Sequence, residues 1–88
     1  MALLNQNTSD NLMAEKLNWR INRGFLELIC ALKEQELIYS VADKNGKVLL
    51  TGKFVNKAEI DVKSLIAGQY DLYVFNDYWG KRIIFSIQ

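Results

Sequence analysis

Large aromatic and cationic side chains are concentrated in one short stretch near the C-terminus. Residues 76–82 read NDYWGKR, which places two adjacent aromatic rings beside two cations. Exposed aromatic rings at a loop can stack on sugar rings or anchor a protein partner. Trp19 extends such a platform if the fold brings it nearby. The candidate partner-binding residues are therefore Tyr78, Trp79, Lys81, Arg82 and Trp19.

The same two rings have a structural alternative. A small domain has a thin core, and loop aromatics often fold back to extend it. In that case Tyr78 and Trp79 cap the edge of the core and present no surface to a partner. The two interpretations make opposite predictions for the exposure of both rings.

Catalytic chemistry has few residues to work with. The chain has no His, which is the commonest general base and metal ligand. Its one cysteine, Cys30, therefore has no base to form the thiolate, and its place on an apolar strand face predicts a small buried hydrophobe. The five glycines are isolated, so no phosphate-binding loop is present.

The carboxylates do not form a recognisable catalytic or calcium site either. Asp43 opens the turn DKNG, where an aspartate usually bonds its own backbone. Asp61, Asp71 and Asp77 fall in different predicted elements, so no paired-carboxylate site follows from their spacing. A domain of this size also has little room for a deep cleft. We therefore expect no enzyme activity, no cofactor and no metal.

The overall charge excludes two further classes of partner. The chain has 88 residues, of which half are hydrophobic and 24% charged, with a net charge of +1. Its 11 basic and 10 acidic side chains form no basic stripe, which argues against nucleic acid and against electrostatic membrane binding. No stretch approaches the ~18 apolar residues of a membrane-spanning helix. We expect neither nucleic-acid binding nor membrane insertion.

From residue 17 onward, apolar and polar residues alternate with the period of a β-strand. The clearest signal is a hairpin over residues 36–54, where Asn45-Gly46 lies between two alternating runs and both residues tolerate the positive φ of a tight turn. A last hairpin surrounds residues 77–80. Ile60, Val62, Leu65 and Tyr70 are expected to point inward. The apolar positions that share one face of a strand are Leu26, Leu28, Cys30 and Leu32; Tyr70, Leu72 and Val74; and Ile83, Phe85 and Ile87.

Short antiparallel strands at this spacing predict an all-β fold. We expect an immunoglobulin-like β-sandwich of six or seven strands over residues 17–88, forming a single domain. Residues 1–16 are mostly polar and are expected to form a leader that is flexible or helical.

The order of segments from Leu37 to Ile87 carries a family resemblance. An Asp43-x-x-Gly46-Lys47 hairpin is followed by Ile60-Asp61-Val62, by the stretch LIAGQY at 65–70 and by an apolar closing strand. This resembles the C-terminal sorting domain of the type IX secretion system and related small secreted β-sandwich domains of the Bacteroidetes. The Pro-Asn-Pro segment that usually opens a sorting domain is missing, since the chain has no proline.

The resemblance implies export across a cell envelope and recognition by other proteins, without substrate turnover. The leading prediction is a non-catalytic sorting or protein-interaction module of a secreted or cell-surface protein. One alternative is a small carbohydrate-binding module with its aromatic platform at the 77–82 hairpin. Another is a stand-alone inhibitor that covers an enzyme surface. The chain is expected to be a monomer or a weak homodimer, with residues 83–87 pairing across chains if they lie at a sheet edge.

Overall fold

Seven antiparallel strands form two sheets in a computed structural model that describes residues 17–31 and 35–88. The three-stranded sheet has the order β1-β2-β5, and the four-stranded sheet has the order β4-β3-β6-β7. The strands are β1 (Leu17–Asn22), β2 (Phe25–Cys30), β3 (Glu36–Asp43), β4 (Val48–Val55), β5 (Lys57–Asp61), β6 (Gly68–Phe75) and β7 (Gly80–Ile87).

The all-β prediction is confirmed, and the two sheets are compatible with a β-sandwich. The leader predicted for residues 1–16 lies outside the described residues. Within residues 17–31 and 35–88 there is no helix of the length and apolarity that crossing a bilayer requires.

One apolar core joins the inner faces of the two sheets. Leu26 and Leu28 of β2 are fully buried in it, as are Leu72 and Val74 of β6. Each such aliphatic side chain contributes about 1.5–3 kcal/mol when removed from water. Cys30 is buried in the same core, as its position on the apolar strand face predicts. The core therefore holds the sheets together without a disulfide.

The turn between β1 and β2 requires its glycine. Asn22 pairs with Phe25, and the two residues between them, Arg23 and Gly24, have φ angles of 54° and 83°. Two successive positive φ angles define a type I′ hairpin turn. A Cβ atom at Gly24 would also meet Cγ of Lys63, so a larger residue would displace the Lys63 side chain.

The prediction that Asn45 and Gly46 both adopt positive φ was wrong for Asn45. Only Gly46 has a positive φ, of 87°, and its N–H donates to the carbonyl of Asp43 at 3.0 Å. The Asp43 Oδ1 atom accepts hydrogen bonds from the N–H groups of Asn45 (2.9 Å) and Lys47 (3.0 Å). The Asp43 carboxylate thus holds a type I turn that ends on a left-handed glycine.

Strand β1 covers the core only in part. Trp19 pairs with Leu28 and Ile21 pairs with Leu26, so both side chains lie on the inner face. Leu17 is buried, yet Trp19 and Ile21 are 39% and 38% exposed. Because β1 is an edge strand of the narrower sheet, its inner face has less of the opposite sheet to pack against.

A charged pair spans β1 and β2 on the outer face of their sheet. Arg20 lies opposite Glu27, and its Nε donates a hydrogen bond to Oε1 of Glu27. This hydrogen bond lowers the pKa of the buried Glu27 carboxyl from its usual 4.5, although desolvation opposes the shift. The ionised form of Glu27 is therefore favoured more strongly in the folded chain than in the unfolded chain.

We expect Glu27 to contribute to acid sensitivity. A lowered pKa in the folded state stabilises the fold above the unfolded value, and this contribution is lost as the pH falls through the lowered pKa. In urea unfolding between about pH 6 and pH 3, Glu27→Gln should weaken the pH dependence of the unfolding free energy. Glu36→Gln, at an exposed site of the other sheet, is the control. An unchanged slope in Glu27→Gln would contradict the assignment.

Candidate functional site

Asn76 organises the turn between β6 and β7. Its backbone N–H donates to the carbonyl of Trp79 at 3.0 Å. Its Oδ1 atom accepts from the N–H groups of Tyr78 (2.8 Å) and Trp79 (3.1 Å), and its Nδ2 donates to Oε1 of Gln35 (3.2 Å). These bonds fix the turn, and with it the directions of the two adjacent aromatic side chains.

The two rings of this turn lie in opposite environments. Tyr78 is 82% exposed, whereas Trp79 is 7% exposed and belongs to the core. The predicted exposed pair is therefore not formed, because the turn directs Trp79 inward. The alternative, in which loop aromatics cap the core, holds for Trp79 and does not hold for Tyr78. Among residues 17–31 and 35–88, the buried Nε1 of Trp79 finds no hydrogen-bond partner.

The other three candidates do not complete a platform with these rings. Trp19 belongs to β1 of the three-stranded sheet, while the turn joins two strands of the four-stranded sheet. Lys81 is half-buried and pairs with Val74. Arg82 lies opposite Tyr73, and its guanidinium binds Oδ1 of Asp71 through Nε (3.0 Å) and Nη2 (2.9 Å). No aromatic platform is assembled from the five predicted residues.

A different surface is built on the face of the four-stranded sheet that points away from the core. It contains an open depression of about 650 Å³. We call this the outer groove, and it is lined by Ser40, Val48, Thr51, Tyr73, Val74, Phe75, Gly80, Lys81 and Arg82.

Strand register brings these residues together. Ser40 of β3 pairs with Tyr73 of β6, and Tyr73 pairs in turn with Arg82 of β7. Phe75 lies opposite Gly80, where an added Cβ would approach Cβ of Phe75 to 3.3 Å. Small side chains therefore alternate with two aromatic rings, and this alternation leaves a depression beside the rings.

The groove is mainly apolar, and its polar groups are largely engaged. Tyr73 and Phe75 are 39% and 37% exposed. The Arg82 guanidinium is bound to Asp71, and the Thr51 hydroxyl donates to the carbonyl of Tyr39 at 2.9 Å. Across the described part of the chain, no three carboxylate or thiol groups converge as a metal site would require. An apolar depression of this kind is suited to contact with another surface.

Sequence reasoning missed Tyr73 and Phe75 as surface residues. It placed Tyr70, Leu72 and Val74 together on one face of a strand, and the structure buries all three. A signal for the second face was available, because residues 72–75 read LYVF and are apolar on both sides of a strand. In a two-layer fold, the outer half of such a run must face solvent or a partner.

Comparison with known proteins identifies no family and no curated protein whose sequence matches this chain. The resemblance of residues 37–87 to type IX sorting domains therefore stays a prediction.

The opposite placement of the tryptophans can be tested by fluorescence. In Trp19→Phe, the remaining Trp79 should emit at short wavelength and resist acrylamide, because it is buried. In Trp79→Phe, the remaining Trp19 should emit at longer wavelength and be quenched more readily. Equal quenching of both variants, each checked as folded by circular dichroism, would contradict the burial of Trp79.

Proposed function

We propose that this chain is a non-catalytic protein-interaction module that contacts its partner through the outer groove. One observation carries the proposal: the outer face of the four-stranded sheet exposes large apolar side chains although the inner face already forms the core. These side chains are Val48 (55% exposed), Tyr73 (39%), Phe75 (37%) and Ile84 (50%). An antiparallel sheet with one solvated face normally shows polar residues there.

The composition of the groove favours a protein as the partner. Aromatic residues and arginine are enriched at protein interfaces, and the strongest contacts lie in pockets that exclude water. Tyr73 and Phe75 supply the rings, and Arg82 lies at their side. Between them, Ser40 and Gly80 leave room for an inserted side chain of the partner.

The proposal includes a cellular setting. The resemblance of residues 37–87 to sorting domains implies a secreted or cell-surface protein and a partner in an export or surface apparatus. If the partner is instead an enzyme, the same groove would act as an inhibitory surface. The two versions share the contact residues and differ in what the captured protein is.

Carbohydrate binding is the second candidate, because Tyr73 and Phe75 project from the same face of one strand. A sugar site also needs hydrogen-bonding groups free to bind hydroxyls. In the outer groove, Asp71 and Arg82 bind each other, and the Thr51 hydroxyl binds backbone. The groove therefore fits an apolar partner surface better than a sugar.

The proposal predicts that partner capture depends on Phe75. The immobilised full chain should retain a protein from the envelope or the medium of the producing cell. Removing one central aromatic anchor costs ~2 kcal/mol, so Phe75→Ala should bind that protein about 30-fold more weakly by surface plasmon resonance. Ile29→Ala, which removes a 47% exposed side chain from the three-stranded sheet, should bind as the native chain does.

Several outcomes would count against the proposal. Equal loss in Phe75→Ala and Ile29→Ala would show that the outer groove is not the contact surface. Binding of a glycan from a panel, abolished by Phe75→Ala, would favour the carbohydrate alternative. Thermal unfolding of each variant separates loss of contact from loss of fold.

A further inference from the structure

Strand β7 lies at the edge of the four-stranded sheet. Over residues 35–88, it pairs with β6 on one side and with no strand on the other. Its register with β6 runs from Gly80 to Ile87 without a bulge. Residues 83–88 read IIFSIQ and contain no charge and no proline. From Ile83 onward the edge is therefore open, regular and uncharged, and such an edge is a template for a further strand.

The turn that precedes β7 determines which residues of this strand form backbone hydrogen bonds with β6. The N–H of Asn76 donates to the carbonyl of Trp79, and antiparallel ladders alternate from that bond onward. Lys81, Ile83 and Phe85 therefore exchange backbone hydrogen bonds with β6. The residues between them direct their N–H and C=O groups to the open edge; they are Arg82, Ile84 and Ser86.

The other three edge strands are better protected. Strand β5 is only five residues long and carries Lys57, Glu59 and Asp61. Strand β4 meets a register shift between Val41 and Ala42 of β3 and carries Lys53. Charges and bulges are the usual devices that prevent edge pairing. Strand β1 carries Arg20 at its centre. Strand β7 carries Lys81 and Arg82 near its start, but its second half, from Ile83 to Ile87, has neither a charge nor a register shift and is the least protected stretch of edge.

We propose that β7 pairs in antiparallel orientation with β7 of a second copy, about a two-fold axis at Ile84. This register places Ile84 opposite its own counterpart and Arg82 opposite Ser86 of the second copy. No like charges meet, because Arg82 is the only charged residue in residues 82–88 and is bound to Asp71 of its own chain. The half-exposed Ile84 side chain gains an apolar neighbour.

This self-complementarity distinguishes a second copy from an unrelated strand. An isologous contact requires that a segment can pair with a second copy of itself in reverse direction. Residues 82–86 meet this requirement, because no like charges oppose each other and the free N–H and C=O groups of the two strands face each other. The two-fold axis stands perpendicular to the sheet, so the two outer grooves open on the same side of one eight-stranded sheet. The contact is smaller than the ~1,600 Å² of a standard interface, so the dimer should be weak.

Sedimentation equilibrium of the full chain over a wide concentration range tests the proposal. The native chain should show a reversible monomer–dimer equilibrium. Ile84→Lys keeps the backbone hydrogen bonds but places two like charges at the axis, so it should remain monomeric at every concentration. Ile84→Pro removes an N–H that is not bonded to β6 but would bond to the second copy, so this variant should also be monomeric. Ile29→Lys, on the other sheet, should dimerise as the native chain does.

Hydrogen exchange provides an independent measurement. The amides of Ile84 and Ser86 should become more protected as the concentration rises, and this protection should be absent in Ile84→Lys. A native chain that is monomeric at all concentrations would overturn the proposal. A dimer that survives Ile84→Lys, or edge amides that are already protected in the monomer, would overturn it as well. Phe75→Ala should dimerise normally, which separates this contact from the outer groove.

Discussion

The contact between the two inner sheet faces is the interaction on which the rest of the structure depends. Without a disulfide, the sheets are held by apolar side chains such as Leu26 and Leu28 on one side and Leu72 and Val74 on the other. A two-layer arrangement can bury only one face of each sheet. Any apolar side chain that the sequence places on the opposite face therefore lies outside this core.

Strand β6 has apolar side chains on both of its faces and shows the effect of this constraint. Its inner residues complete the core, and its outer residues Tyr73 and Phe75 form the walls of the outer groove. The neighbouring strands supply small side chains at Ser40 and Gly80, so the sheet surface is concave beside the rings. One strand thus links fold stability to the proposed contact surface, and substitutions at adjacent positions should separate the two roles.

The sequence predicted the features that depend on local pattern. Period-two alternation indicated the strands, and the apolar face that contains Cys30 indicated the burial of this residue. Features that depend on contacts between residues far apart in the chain could not be predicted from the sequence. The opposite directions of Tyr78 and Trp79 depend on hydrogen bonds to Asn76, and the outer groove depends on β3 pairing with β6 across about 30 intervening residues. Strand order, which sets which edges are open, is likewise not encoded in any one segment.

The central claim is that the outer groove, and not the tip of the β6–β7 turn, contacts the partner. Its most direct test is nuclear magnetic resonance mapping of the captured partner on the isotope-labelled chain. We expect the largest chemical-shift changes at Thr51, Tyr73, Phe75 and Arg82, with little change at Ile29. Changes confined to Tyr78, or centred on the three-stranded sheet, would contradict it.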